Sequence, residues 1–294
     1  MQNILVLGTT GGPTALASGV GTLGALEGLQ EVLKVVGVSG VSGWAAPAGA
    51  IALKVSYLSA LDVLQRADSK VILRLAVANT ARWVSSGGKD FFTGFFRGLP
   101  IRAFFRLVLG KRKFQDCQIP LAIPALSVEQ GKIVTFSQNT HPEVEIARAA
   151  RASSANPAFE AEAEFDLTKD HYIDPGLTRP LDTSLLDKVE FSRCLILVND
   201  ITRAGKLSNF RTGPWSYPRL LYQVIADAYS VNLREQVLET FAKVVDSGRT
   251  CQIVKAPGEV PFFEFTGRQL TQFAGVTREK VERYLQNKAL TDSI

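Results

Sequence analysis

The chain has 294 residues, of which 46% are hydrophobic, and a formal net charge of +5. This is enough apolar material for the core of a globular protein built as one large α/β domain or two small ones. The modest positive charge is accompanied by neither a strongly basic helix nor a nucleic-acid-binding motif, so we expect no nucleic-acid partner.

The N-terminal residues and the cysteines set further limits. The first eight residues lack a basic segment and contain only a four-residue apolar run, so we expect neither a secretory signal nor a membrane anchor, and a cytoplasmic protein. The three cysteines, Cys117, Cys194 and Cys251, are odd in number and have no Cys-x-x-Cys spacing. We therefore expect buried or free thiols, with no disulfide framework and no metal site.

The first fifty residues repeat a strand, turn and helix pattern. A short apolar run over Asn3–Leu7 leads into a glycine-rich turn at residues 8–13, and the apolar spacing over Gly19–Leu29 predicts a helix. A second apolar run, Val35–Val38, leads into a serine-containing turn and a small-residue segment typical of a helix. This repetition predicts a mostly parallel sheet with helices on its faces.

The glycine-rich turn does not match the common phosphate-binding loops. It lacks the Gly-Lys-Ser/Thr of a Walker loop, and no acidic residue stands after the next strand, where the dinucleotide pattern requires one. The other use of such a loop is to direct backbone N–H groups at an oxyanion. In that role it would be the partner of the serine turn.

The serine turn contains two overlapping Gly-Val-Ser-Gly units, which present Ser39 and Ser42. A serine on a sharp turn between a strand and a helix exposes its hydroxyl beside helix-start N–H groups, as in a nucleophile elbow. Glycine on both sides suits such a strained turn. A purely structural Gly/Ser-rich turn fits this stretch equally well.

The composition changes between Arg82 and Phe114, where aromatic residues alternate with Lys and Arg. Such a segment suits a lid or a membrane-contact insertion, with rings at the interface and cations on lipid phosphates. It also suits a helical hairpin with its phenylalanines in the core. Both interpretations stay open, within a single domain spanning residues 1–294.

The remaining patterns complete an α/β arrangement without an internal repeat or linker. We predict strands near 120–127, 132–137, 193–198 and 251–254, and helices over Val144–Ala152, Tyr217–Val245 with a break near Ser230, and Thr277–Leu285 with Thr277 as the N-cap.

A serine nucleophile needs a base, and the chain has only two histidines, His141 and His171. The α/β-hydrolase order places the histidine after the acid, but the candidate acid Asp174 follows His171, so that triad is excluded. Asp174 ends an apolar run at a Pro-Gly turn. Burial there would raise its basicity, so it is the best candidate for a general base acting directly on the serine.

Four segments together resemble the patatin-like lipid acyl hydrolases and the related cytosolic phospholipases. They are the Gly11-Gly12 turn, Gly40–Gly43, Arg151–Pro157 and Asp174–Thr178, which stand in the family's order and at about its spacing. The resemblance covers roughly residues 1–200. It implies a three-layer α/β/α fold and release of fatty acid from phospholipids or other acyl esters, with no cofactor.

The resemblance also implies roles for individual residues. Ser42 would be the nucleophile, Asp174 the base, and Gly11 and Gly12 the oxyanion donors. Ser42 matches the cytosolic branch without a gap and leaves Pro47 near the first helical turn, where proline is tolerated. Ser39 remains the alternative nucleophile. Membrane contact at the periphery is compatible with this family, and the oligomeric state is not indicated.

The chain departs from the family pattern around these residues. The family's glycine loop is normally followed by an Arg or Lys that would contact a phosphate, and this chain lacks it, so the resemblance does not extend to a preference for a phospholipid head group. The other changes are compatible with an inactive lipid-binding or scaffold protein. An acyltransferase is a third alternative, because an alcohol or thiol can resolve an acyl-enzyme instead of water. The departing positions are Thr10, Pro13, Thr14, Ala15, Trp44 and Pro175.

Overall fold

The structure is a computed structural model that describes residues 1–72, 99–156, 162–163, 170–199, 216–260 and 265–287. Within these ranges one mixed sheet has eight strands, in the order β5-β6-β3-β2-β1-β7-β8, with β4 also paired to β3. The strands are β1 (Gln2–Gly8), β2 (Leu33–Gly40), β3 (Leu121–Ser127), β4 (Lys132–Phe136), β5 (Glu162–Ala163), β6 (His171–Ile173), β7 (Arg193–Val198) and β8 (Thr250–Lys255).

The central part of the sheet is parallel, as the repeated strand and helix pattern predicts. Strand β1 pairs in parallel with β2 and β7, β2 with β3, and β7 with β8. The other edge is antiparallel, because β4 and β6 both run against β3 and β5 runs against β6. The carboxyl ends of β1, β2 and β7 therefore share one edge of the sheet.

Helices cover both faces of the sheet. The described helices are α1 (Gly12–Gly28), α2 (Ala45–Ala52), α3 (Tyr57–Gln65), α4 (Ser69–Ile72), α5 (Leu99–Leu109), α6 (Ile146–Ser153), α7 (Ser216–Asp246) and α8 (Gly267–Gln286). Short 3-10 helices form at Ser42–Trp44, Phe114–Asp116 and Pro175–Leu177.

Alternate residues of the central strands enter two separate hydrophobic cores. In β1, Ile4 and Val6 pack with α1, α2 and α8, whereas Leu5 and Leu7 pack in a second core that includes Val237 of α7. Successive side chains of a strand point to opposite faces, so this division places helices on both sides of the sheet. The predicted three-layer α/β/α architecture is confirmed.

Two predicted helix boundaries are wrong. Helix α8 begins ten residues before Thr277, with Thr266 as N-cap in a capping box with Gln269. Thr277 is instead buried inside the helix, where its hydroxyl donates to the carbonyl of Phe273. Helix α1 begins at Gly12 rather than Gly19, because the proline after Gly12 is accommodated in the first turn.

Other predictions on helices and thiols have simpler outcomes. Helix α7 runs from Ser216 to Asp246 without the predicted break. The three cysteines are free thiols. None of the helices in the described ranges combines the length and apolar character needed to cross a lipid bilayer.

The aromatic and basic segment is described only from residue 99 onward. Phe105 and Phe114 are buried in the core and Phe104 packs against it. The positions of these three side chains agree with the helical hairpin, in which the phenylalanines lie in the core. Residues 82–98, with Phe91, Phe92, Phe95 and Phe96, lie outside the described residues.

The contact between α1 and α8 depends on glycine. A Cβ at Gly21 would lie 2.4 Å from the carbonyl oxygen of Ala274 and 3.0 Å from the amide nitrogen of Arg278. Both atoms belong to the backbone of α8, so neither can turn aside. The two helices therefore approach more closely than any other residue at this position would permit.

We expect Gly21→Ala to lower the free energy of unfolding by about 1–3 kcal/mol, because steric overlap outweighs the gain in helix propensity. The matched control is Gly275→Ala in α8, where a Cβ would meet nothing within 4 Å. That change should raise stability by about 0.5–1 kcal/mol. Urea denaturation followed by circular dichroism measures both, and equal effects of the two changes would contradict the close helix contact.

Candidate active site

Ser42 stands on a strained turn between β2 and α2. Its φ angle is +55°, a left-handed conformation that non-glycine residues rarely adopt. Glycine is required on both sides. A Cβ at Gly40 would lie 2.6 Å from the carbonyl oxygen of Trp44, and one at Gly43 would lie 2.1 Å from that of Gly12. The turn thus has the geometry of a nucleophile elbow.

Two neighbouring serines hold the backbone of Ser42. The N–H of Ser42 donates to Oγ of Ser153 at 2.9 Å, and Oγ of Ser154 donates to the carbonyl of Ser42 at 2.9 Å. Both serines lie at the carboxyl end of α6. In the sequence, both were selected only as part of the segment Arg151–Pro157, and nothing there showed that they would bond both backbone groups of one residue.

The side chain of Ser42 reaches Asp174. Its hydroxyl donates to Oδ2 of Asp174 at 2.6 Å, and the N–H of Gly176 donates to Oδ1 at 2.8 Å. Asp174 follows β6 and caps the 3-10 helix that begins at Pro175. With one carboxylate oxygen bonded to its own turn and the other to Ser42, the carboxylate has a fixed orientation.

The surroundings make Asp174 a stronger base than an ordinary aspartate. Burial raises the pKa of its carboxyl to about 6. The hydrogen bonds from Ser42 and Gly176 act in the opposite direction, as does the positive charge of Arg151, which is fully buried in α6. Because the desolvation of the charged form outweighs these stabilising contacts, the pKa of the carboxyl stays above its usual range.

The glycine-rich loop lies directly against the serine turn. Gly11 and Gly12 have φ angles of +153° and +54°, which glycine adopts without the steric cost of a side chain. Gly12 begins α1, and the first N–H groups of a helix lack partners within it. Since the carbonyl of Gly12 lies against Gly43, the N-terminus of α1, the positive end of its dipole, lies beside the serine turn.

The departures from the family pattern are accommodated by packing. The Trp44 ring is fully buried against Gly8, where a Cβ would lie 2.0 Å from it. The hydroxyl of Thr14 accepts a hydrogen bond from the N–H of Val260 at 2.9 Å. Pro175 occupies the first position of its 3-10 helix, where a backbone N–H is not needed.

Ser39 lies apart from this arrangement. It is in β2, before the turn, and its hydroxyl donates to Oδ2 of Asp182 at 2.9 Å and to the carbonyl of Ala122 at 3.2 Å. The structure therefore brings Ser42, Asp174 and the glycine loop together but not Ser39. Of the two histidines, His171 is bonded to Glu129, and the ring of His141 packs on Phe136.

Comparison with known proteins assigns the chain to a family. A family model described as patatin-like phospholipase matches residues 9–187, and no curated protein matches the chain.

Structure comparison matches the chain to solved structures of bacterial proteins. VipD from Legionella pneumophila is 11% identical with a TM-score of 0.48, and the match covers 98% of this chain and 67% of VipD. A chain of the heterodimeric ExoU–SpcU complex from the type III secretion system of Pseudomonas aeruginosa is 12% identical with a TM-score of 0.43, and 98% and 52% of the two chains are covered.

This chain thus spans about two thirds of VipD and about half of the matched chain of the ExoU–SpcU complex. The family assignment depends on the sequence match, which covers more than half of this chain and includes both Ser42 and Asp174. The chain belongs to the patatin-like phospholipase family.

Proposed function

We propose that this protein is a lipid acyl hydrolase in which Ser42 is the nucleophile and Asp174 the general base. The observation that carries the proposal is the 2.6 Å hydrogen bond from the Ser42 hydroxyl to Oδ2 of Asp174, made by a serine on a strained turn. A nucleophile within hydrogen-bonding distance of an oriented base is the arrangement that acyl transfer requires. Family membership supports an ester of a lipid as the substrate.

In the first half of the reaction, Ser42 Oγ attacks the ester carbonyl carbon while its proton passes to Oδ2 of Asp174. The carbonyl oxygen becomes an oxyanion, which the N–H groups of Gly11 and Gly12 stabilise. The ester C–O bond then breaks. The leaving alcohol takes the proton from Asp174, and the acyl group remains on Ser42 as an ester.

In the second half, Asp174 accepts a proton from a water molecule that attacks the acyl-enzyme. The same two N–H groups stabilise the second oxyanion. When the bond to Ser42 Oγ breaks, the serine recovers its proton from Asp174 and the fatty acid leaves. The site returns to its starting state, and no cofactor takes part in the balance.

A small apolar cleft lies between the helices that follow the glycine loop and the serine turn. It is lined by side chains of α1, α2, α3 and α5, including Leu16 and Ala46. Leu16 is four residues after Gly12 and Ala46 four residues after Ser42. Gly12 begins α1, so Leu16 lies one helical turn, about 5 Å, farther along that helix, on the side of the glycine loop.

The outer face of α5 suits contact with an anionic lipid surface. Leu99, Ala103 and Leu107 follow one another at intervals of four and form an exposed stripe, in which the two leucines are 61% and 60% exposed. Two exposed cations, Lys111 and Arg112, come directly after the helix. Apolar residues beside cations are typical of helices that lie at the surface of a membrane. We therefore include peripheral membrane contact through this stripe in the proposal.

We expect Ser42→Ala and Asp174→Asn each to lower kcat for p-nitrophenyl butyrate roughly a thousandfold or more, because each removes one member of a unit that acts together. The control is Ser39→Ala, which removes the neighbouring serine and should leave kcat within about threefold of wild type, since Ser39 lies outside the turn. Steady-state release of p-nitrophenol measures all three. Undiminished activity in Ser42→Ala with loss in Ser39→Ala would assign the nucleophile to Ser39.

The pH dependence follows from the raised pKa of Asp174. A general base must be ionised, so kcat/KM should fall about tenfold per pH unit below pH about 6. The folded-state pKa also lies above that of the unfolded chain, so ionisation of Asp174 lowers the free energy of unfolding as the pH rises from about 4 to about 6.

The Asp174→Asn variant lacks this ionisation and gains stability relative to wild type across the same window. Thermal unfolding between pH 4 and pH 8 measures the difference without any substrate. A difference that is constant with pH would show that Asp174 titrates with an ordinary pKa.

For the membrane stripe, we expect Leu99→Ser/Leu107→Ser to reduce sedimentation with vesicles of phosphatidylserine and phosphatidylcholine. Lys111→Gln/Arg112→Gln should weaken the binding free energy for these vesicles by about 1 kcal/mol per cation at low salt. At high salt the same change should have little effect. The control is Leu238→Ser/Val276→Ser, which removes two exposed apolar side chains from other helices. Equal binding by wild type and the α5 variants would exclude this surface.

A further inference from the structure

A buried asparagine lies against the glycine-rich loop. Asn199 directly follows β7 and has no exposed surface. It takes no part in the reaction described above, and its sequence position gave no reason to select it. Burying a primary amide is costly unless its donors and acceptors find partners, so the contacts of Asn199 indicate what its side chain does.

Both ends of the loop are bonded to Asn199. Its backbone N–H donates to Oγ1 of Thr9 at 3.0 Å, and its side-chain Nδ2 donates to the carbonyl of Thr9 at 3.1 Å. Its Oδ1 accepts a hydrogen bond from Oγ of Ser18 in α1. Thr9 precedes Gly11 and Gly12, and Ser18 follows them, so one side chain connects the strand side and the helix side of the loop.

Asn199 also limits the position of Gly11. A Cβ at Gly11 would lie 2.6 Å from Cβ of Asn199, so the Cα of Gly11 rests directly on the asparagine. The loop is thus hydrogen-bonded to Asn199 at Thr9 and packs against Cβ of Asn199 at Gly11. A displacement of Asn199 would release both restraints at once.

We propose that Asn199 is a positioning residue that holds the N–H groups of Gly11 and Gly12 in the orientation that stabilises the oxyanion. The inference rests on the proposed function of the site. An amide side chain supplies a donor, Nδ2, for Thr9 and an acceptor, Oδ1, for Ser18 at the same time, which a carboxylate or an apolar group does not. Donors that are fixed before the reaction stabilise developing charge without reorganisation, so loosening the loop raises the barrier to the chemical step.

The test compares Asn199→Leu and Ser18→Ala with a matched control on the same helix. Ser18→Ala removes the hydrogen bond to Oδ1, together with the one to the carbonyl of Ala15 in the same helix, and is the milder change if Asn199→Leu fails to fold. The control is Thr22→Val, which removes another fully buried hydroxyl, bonded to the carbonyl of Ser18 at 2.9 Å, one turn farther from the loop.

We call Asn199→Leu and Ser18→Ala the loop variants, because both remove contacts that hold the glycine-rich loop. With p-nitrophenyl butyrate as substrate, we expect both to lower kcat about tenfold to a hundredfold, while KM stays within about twofold of the wild-type value. Thr22→Val should lower the melting temperature as Ser18→Ala does but keep the wild-type kcat. Binding of an alkyl trifluoromethyl ketone, whose adduct with a serine carries an oxyanion, should weaken by the same factor as kcat in the loop variants and not in Thr22→Val.

Ser42→Ala, measured in parallel, distinguishes a failure of the positioning role of Asn199 from a failure of the proposed function. If Ser42→Ala is inactive but Ser18→Ala keeps both wild-type kcat and wild-type ketone affinity, the positioning role of Asn199 is wrong and the proposed function stands. If Ser18→Ala and Thr22→Val lower kcat equally, Asn199 has only a structural role. Wild-type activity in Ser42→Ala would overturn the proposed function itself.

Discussion

The left-handed backbone of Ser42 is the constraint on which the rest of the site depends. A serine at φ +55° is strained, and the neighbouring residues hold it there. Glycines at 40 and 43 remove the side chains that would collide, and Ser153 and Ser154 bond its N–H and its carbonyl. The strain directs the hydroxyl away from the sheet and toward Asp174.

The order of the strands in the sheet explains why the glycine loop, the serine turn, Asn199 and Asp174 lie together. The glycine loop follows β1, the serine turn follows β2 and Asn199 follows β7, and these three strands are parallel neighbours. Their carboxyl ends therefore lie side by side, as binding sites commonly do in α/β proteins. Asp174 reaches the same edge from β6, which pairs with the far side of β3. Four chain segments that are distant in sequence thus converge within hydrogen-bonding distance.

Much of the parallel sheet could be predicted from the sequence, because β1, β2 and β7 are compact apolar runs with turn residues at their ends. At the antiparallel edge the two strands β3 and β4 could also be predicted, but β5 and β6 could not, since they have two and three residues and owe their pairing to distant contacts. The start of α8 was missed although the Thr266-x-x-Gln269 signal was present, because the apolar spacing after Thr277 was taken as the beginning of the helix.

The same contrast holds for the site. Ser42, Asp174, Gly11 and Gly12 could be chosen as candidates from the sequence, because their residue types and local turns suit the proposed chemistry. Asn199 could not, because its significance comes entirely from contacts with Thr9 and Ser18, about 190 and 181 positions away in sequence. A buried polar residue of this kind has no local pattern.

The central claim is that Ser42 is the nucleophile, and mass spectrometry of the folded protein after treatment with an alkyl fluorophosphonate tests it most directly. The reagent phosphonylates an activated serine, and its adduct is located by fragmentation of the labelled peptide. The account predicts one adduct, on Ser42, that is lost when the protein is denatured before treatment. An adduct on Ser39, or none on the folded protein, would contradict it.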